Sequence, residues 1–198
     1  MPAPLILAST SPYRRALLAR LGLVFTSQSP GVAELAMPGE RADALAIRLA
    51  RDKAASVAHR RPGAWVLAAD QVADCGGRTF GKPGDAAGCR AQLAASSGRT
   101  VVFHTAFVLV QGAAAPAAEH VDRTEVRFRV LSAHEISAYV ERDRPYDCAG
   151  GFRCEGLGVA LFERVATEDP TALVGLPLIA VAAALRRVGF DALAPGQS

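Results

Sequence analysis

The residues of this chain with the most chemical potential are a carboxylate at the end of an apolar run, two isolated lysines, and a Ser/Thr/Arg cluster. The run at 64–69 stops at Asp70 and Gln71. A carboxylate at the end of a buried strand is costly unless a metal or hydrogen-bond donors meet it, which favours a functional acid over a structural one. Of 22 basic residues only Lys53 and Lys82 are lysines, so these two sites stand out as places where a compact ammonium is kept in preference to a planar guanidinium. With two cases, chance competes with that reading. Ser9, Thr10 and Ser11 precede Pro12, and Arg14 and Arg15 follow. Cations in a first helical turn oppose the macrodipole, and a bound phosphate would resolve the conflict. Both arginines pointing into water would resolve it equally well. Glu34 is expected on a loop near a strand end, and Glu155 within a glycine-rich stretch.

The elements that must position these groups follow from the pattern. Residues 5–8 read as a buried strand. It leads into a helix with Ser11 as N-cap, Pro12 at the first position and Gly22 as the stop. A short strand at 24–28 and a loop carrying Glu34 precede a long helix over 41–59. There the fourfold spacing of Leu45, Leu49 and Lys53 puts Lys53 on an apolar face, where a lone lysine more often snorkels to the edge than points into a cleft. Lys82 falls in a constrained loop at 80–84. Asp85 caps a helix to about Ser96, and residues 100–110 pair with 119–130 as a hairpin with Val121, Val126, Phe128 and Val130 facing inward. Ser132 and Glu135 form a capping box for a helix through Val140. Residues 157–165 read as a strand, Asp169 to Thr171 open the last helix, and the final residues read as a frayed tail.

The totals exclude several classes. At 198 residues, 51% hydrophobic and 21% charged, the chain reads as one globular domain over 1–198, with two lobes around a cleft admissible. No apolar run approaches the roughly 20 residues of a membrane span, and no leader pattern opens the chain, which points to the cytoplasm. A net charge of +3 without a basic run argues against a nucleic-acid polymer and for a small anionic substrate. The scattered Cys75, Cys89, Cys148 and Cys154 match neither a zinc site nor a disulfide framework, and the histidines form no local cluster. Any metal should therefore be held by carboxylates. The apolar C-terminal helix suits a core position or a homodimer contact.

Five segments, Ala8-Ser-Thr-Ser-Pro-Tyr-Arg-Arg15, the strand ending in Asp70-Gln71, Gly81-Lys82-Pro83, Ala149-Gly150 with Glu155-Gly156, and Val174-Gly-Leu-Pro-Leu178, together resemble the Maf nucleotide pyrophosphatases in order and over nearly the whole chain. The resemblance implies an α/β fold with a mixed, strongly twisted sheet flanked by helices around a deep central cleft, similar to inosine triphosphate pyrophosphatases. It implies hydrolysis of a nucleoside triphosphate to the monophosphate and pyrophosphate. In that reading Asp70 is the proton acceptor and Ser9, Arg14, Lys53 and Lys82 hold the triphosphate. Glu34 with Asp70 positions a divalent cation (Mg²⁺, Mn²⁺ or Co²⁺).

Three positions separate branches of that family, and here they hold Tyr13, Gln71 and Glu155. The branch preferring dTTP and UTP typically has Arg, Thr and Gln; this chain departs at all three and resembles the YceF-like branch that hydrolyses 7-methyl-GTP. The chemistry agrees, since N7 methylation makes guanine cationic and the face of Tyr13 would attract it by roughly 0.5–2 kcal/mol. Glu155 can accept from N1–H and the exocyclic amine of guanine, and Gln71 can add an amide hydrogen bond. Two alternatives stand beside it: the same enzyme class with another nucleotide such as dTTP or UTP, and a nucleotide-binding regulator of cell division.

Overall fold

A computed structural model describes residues 3–194; the tail expected at the C-terminus, residues 195–198, lies outside the described residues. Seven strands form one mixed sheet, and five α-helices flank it. The strands are β1 (Leu5–Leu7), β2 (Phe25–Ser27), β3 (Trp65–Cys75), β4 (Arg78–Phe80), β5 (Thr100–Gln111), β6 (Ala118–Phe128) and β7 (Phe162–Ala166). The helices are α1 (Pro12–Ala19), α2 (Ala42–Arg60), α3 (Ala86–Ser96), α4 (Ala133–Asp143) and α5 (Leu178–Arg187). The strand order is β2-β1-β3-β5-β6-β7, with β4 paired to β3. β1 is parallel to both β2 and β3, whereas β4 and β7 are antiparallel to their partners, so the expected mixed α/β class is the observed one.

The chain forms two compact units, to which β3, β5 and β6 each contribute residues. The first comprises the described residues of Met1–Asp70, Thr105–Asp122 and Asp169–Ser198. Its core joins Leu5, Leu7, Leu67 and Ala69 to Leu17 and Leu18 of α1 and Val181, Ala184 and Leu185 of α5. A fully buried leucine contributes about 1.5–3 kcal/mol in such a layer. The apolar side of α5 is thus consumed by the chain's own core, and of its large apolar residues only Ile179 is exposed. Ser11 caps α1 as expected, its Oγ accepting from Arg14 N at 3.3 Å, and Gly22 turns the chain at φ 67°.

The second unit comprises Gln71–His104 and Arg123–Glu168. Phe103, Phe128, Phe152 and Phe162 pack edge to face, with centroids 4.9–5.5 Å apart. Asp85 caps α3 and the Ser132/Glu135 capping box opens α4, both as expected.

Three expectations are corrected here. β3 does not end at Asp70 but continues to Cys75, because pairing with β4 (Ala73 with Phe80, Asp74 with Thr79) extends the ladder. Residues 157–161 form a 3₁₀ turn, and the strand starts only at Phe162. Of the four residues expected inward, Val126 and Phe128 are fully buried, Val121 is only half-buried because the alternation turns its neighbour Asp122 inward, and Val130 lies beyond the end of β6 and is 79% exposed. A register irregularity at Arg127/Phe128 accompanies the loss of alternation.

Candidate active site

In the first unit, β1 and β3 run parallel with Leu7 level with Leu67, and Ala8 N donates to Leu67 O at 2.8 Å. The turn after β1 and the stretch of β3 approaching Asp70 therefore lie at the same end of the two strands. Leu67 and Ala69 face the α1/α5 core, and strand alternation sends Asp70 to the other face. There it meets α2, whose buried stripe runs Leu45, Ala46, Leu49, Ala50, Lys53, Ala54, Val57, Ala58.

Lys53 is the one charged member of that stripe, and it does not snorkel: its side chain is 4% exposed. Its Nζ donates to Asp70 Oδ1 and lies 2.5 Å from Glu34 Oε1. The Asp70 side chain is 7% exposed and that of Glu34 44%, so one buried ammonium binds an inner and an outer carboxylate. The cluster carries one net negative charge, since two carboxylates face one ammonium.

The Glu34 loop reaches this point because α2 holds it from both sides. Ser56 Oγ donates to Pro30 O at 2.6 Å and Arg60 to Ser29 O at 2.8 Å. On the other side Arg48 donates to Leu35 O at 2.8 Å and to both oxygens of Glu40. The Arg48 guanidinium, aided by Met37 N–H, holds the Glu40 carboxyl at about 2. Composition pointed to none of these braces; the Arg48/Asp52 spacing of four was visible, but Glu40 and Ser56 needed the loop's path.

At the start of α1, Ser9 is buried and its Oγ accepts from Ser11 N at 3.1 Å. Tyr13 and Arg14 are half-buried and Arg15 is exposed. Arg14 Nε donates to Gly175 O at 2.9 Å, which fixes the guanidinium plane and leaves its terminal amino groups for a second acceptor. Gly175 has φ 122°, and a Cβ there would sit 3.4 Å from Arg14 Nε. The turn carrying Gly175 is tied by buried Asp169, which accepts from Thr171 N, Thr171 Oγ and Ile179 N at 2.6–2.9 Å. Asp169 to Thr171 were expected to open the last helix, but only a 3₁₀ turn (Ala172–Val174) follows them and α5 starts at Leu178; their role beneath Arg14 was not legible.

Gln71, Lys82 and Glu155 belong to the second unit. Successive side chains leave a strand on opposite faces, so adjacency to Asp70 does not place Gln71 beside Lys53. Lys82 is exposed, on a loop held by Gln92 Nε2 donating to Gly81 O (3.0 Å) and Gly84 N donating to Tyr146 O (2.9 Å). Glu155 is exposed and accepts from Cys154 Sγ at 3.4 Å. Burial first, and then the Glu155 carboxylate, push that thiol up to about 12.

Among the described residues no three His, Cys, Asp or Glu side chains group to hold a metal ion. Glu34 and Asp70, converging on one ammonium, nevertheless offer the donor set that suits Mg²⁺ or Mn²⁺, which take one or two protein carboxylates and complete their shell with water and phosphate oxygens. No helix among the described residues is long and apolar enough to cross a membrane.

The chain belongs to the Maf-like protein family, whose model matches residues 4–188. Among its relatives, a protein of Xanthomonas oryzae pv. oryzae named 7-methyl-GTP pyrophosphatase is 55% identical over 94% of this chain and 97% of its own length. One of Ralstonia nicotianae with the same name is 50% identical over 98% and 100%. A solved HAM1 protein from Coxiella burnetii aligns over 64% of this chain and 73% of its own, with a TM-score of 0.41 and 21% identity, too distant to carry an argument.

Proposed function

We propose that this chain is a cytoplasmic pyrophosphatase that cleaves 7-methyl-GTP to 7-methyl-GMP and pyrophosphate. The observation that carries the chemistry is buried Lys53 bridging Glu34 and Asp70. Asp70 is engaged through Oδ1, and its Oδ2 is the atom that takes the proton of the attacking water. The water oxygen bonds to the α-phosphorus, the bond from that phosphorus to the αβ-bridging oxygen breaks, and pyrophosphate leaves carrying that oxygen. Lys53, Arg14, Ser9 and Lys82 neutralise and orient the phosphates. A divalent cation held by Glu34 and Asp70 would, when bound, add charge stabilisation on the phosphoryl oxygens. Tyr13, Gln71 and Glu155 select the base, a reading supported by their match to the branch that bears the relatives' name. The nucleotide is the only partner this reading requires.

Turnover of 7-methyl-GTP, GTP, dTTP and UTP by the purified protein with Mg²⁺, Mn²⁺ or Co²⁺ tests it, and 7-methyl-GTP is expected to lead. UTP turned over as well or better would refute the base assignment. Silence with every nucleotide and metal would favour a binding regulator. Asp70→Asn should abolish turnover and leave nucleotide affinity, read by calorimetry, largely intact; retained turnover would remove Asp70 as the base.

A further inference from the structure

Glu155 is exposed, yet the segment around it is tied to α4 by several hydrogen bonds. Tyr139 and Asp143 lie four residues apart on one face of α4. Tyr139, 3% exposed, donates from its hydroxyl to Asp143 Oδ2 at 2.7 Å and accepts from Arg153 N at 3.0 Å. The Arg153 guanidinium donates to Asp143 Oδ1, and Leu157 N–H also reaches this carboxylate. The Asp143 side chain is only 8% exposed. Arg153 O in turn accepts from Gly156 N at 3.3 Å and Gly158 N at 3.1 Å. There is no room for side chains in the coil: a Cβ on Gly156 would lie 3.1 Å from Asp143 Oδ1, and one on Gly158 2.2 Å from Arg153 O. Residues on both sides of Glu155 are thus fastened to a single charged hub on a helix.

From this geometry we infer that Asp143, with Tyr139 and Arg153, is a positioning device for base selection, holding Glu155 where its carboxylate reads the nucleobase edge. The inference rests on the base-selecting role given to Glu155 above. A carboxylate that discriminates by paired hydrogen bonds must be held to about half an ångström, which an exposed loop glutamate does not achieve without such support. Asp143 and Tyr139 are buried and Arg153 is half-buried, so removing a member leaves a buried hydrogen-bonding group without its partner and frees the loop. Burial pushes the Asp143 carboxyl upward, but Arg153, Tyr139 and Leu157 N–H outweigh it and keep the group below its ordinary value.

The test compares Asp143→Asn and the milder Tyr139→Phe with wild type. The readouts are kcat/KM for 7-methyl-GTP and for UTP, and inhibition by inorganic tripolyphosphate, which has no base. Loss of a hydrogen bond to a charged group predicts a fall of about tenfold or more in the 7-methyl-GTP to UTP selectivity ratio for Asp143→Asn. For Tyr139→Phe, which disturbs one link, the ratio should fall by about threefold. Tripolyphosphate inhibition should stay within about twofold in both. Unchanged selectivity in either folded variant, or an equal loss on both nucleotides with weakened tripolyphosphate inhibition, would overturn the inference. If Asp143→Asn does not fold, Tyr139→Phe decides. If wild type prefers another nucleotide, it is the functional reading that fails, and the selectivity ratio for that nucleotide is read in the same variants.

Discussion

Replacing Lys53 by Met is the sharpest test of the Glu34–Lys53–Asp70 cluster. Met nearly preserves the volume and lies well on the apolar stripe of α2, so the change removes charge with little change in packing. What remains is Asp70, 7% exposed, without its ammonium. Removing one partner of a buried ion pair costs about 3–5 kcal/mol. Glu34 adds little, because its side chain is 44% exposed and water screens that pair to roughly 0–1 kcal/mol. At roughly 2–4 °C per kcal/mol for a chain of this size, the midpoint of thermal unfolding should fall by roughly 6–20 °C. The double variant Lys53→Met/Asp70→Leu removes both buried charges and should recover most of the loss. Urea unfolding followed by circular dichroism, in buffer containing a chelator, measures all three proteins. A single variant within about 0.5 kcal/mol of wild type, or a double variant no more stable than the single, would refute the claim that Lys53 compensates a buried charge.

Gly175→Ala forces a side chain onto φ 122° and toward Arg14 Nε, so it should cost about 1–3 kcal/mol and raise KM for the triphosphate. A stability loss with KM unchanged would separate Gly175 from Arg14. Asp169→Ala strips the buried acceptor of Ile179 N and Thr171 N and should destabilise by about 1–2 kcal/mol in the same urea assay; no change would mean that water replaces the cap. The Asp143 carboxyl is held below its ordinary value of 3.8, so the unfolded chain binds the extra proton. Its contribution is present above pH 3.8 and is lost as pH falls through the lower folded value. Wild type should therefore lose stability more steeply than Asp143→Asn in that acid range, and parallel curves would count against this.

Local signals carried much of the fold. Caps at Ser11, Asp85 and Ser132 marked helix starts because each depends on neighbours within three residues. Where the pattern misled, a distant partner had changed the local rule. The polar break at Asp70-Gln71 looked like a strand end, yet Lys53 satisfies the buried carboxylate and β4 carries the ladder on to Cys75. Periodicity placed Lys53 on the apolar side of α2 but could not separate snorkelling from burial. That choice depends on Glu34 and Asp70, 19 and 17 residues away in opposite directions along the chain. The supports beneath the candidate site (Ser56 and Arg48 on the Glu34 loop, Asp169 under Gly175, Asp143 around Glu155) are ordinary polar residues in the sequence. Their parts exist only once the chain has folded.

The burial of Lys53 also divides the protein's nucleophiles. The chain has two side-chain amines; Lys53 is 4% exposed and engaged by two carboxylates, whereas Lys82 faces solvent. An acylating reagent therefore meets a single reactive lysine on the native surface. That lysine sits at one of the positions assigned to the triphosphate, so among the side-chain amines it is the one through which acylation would report on nucleotide binding.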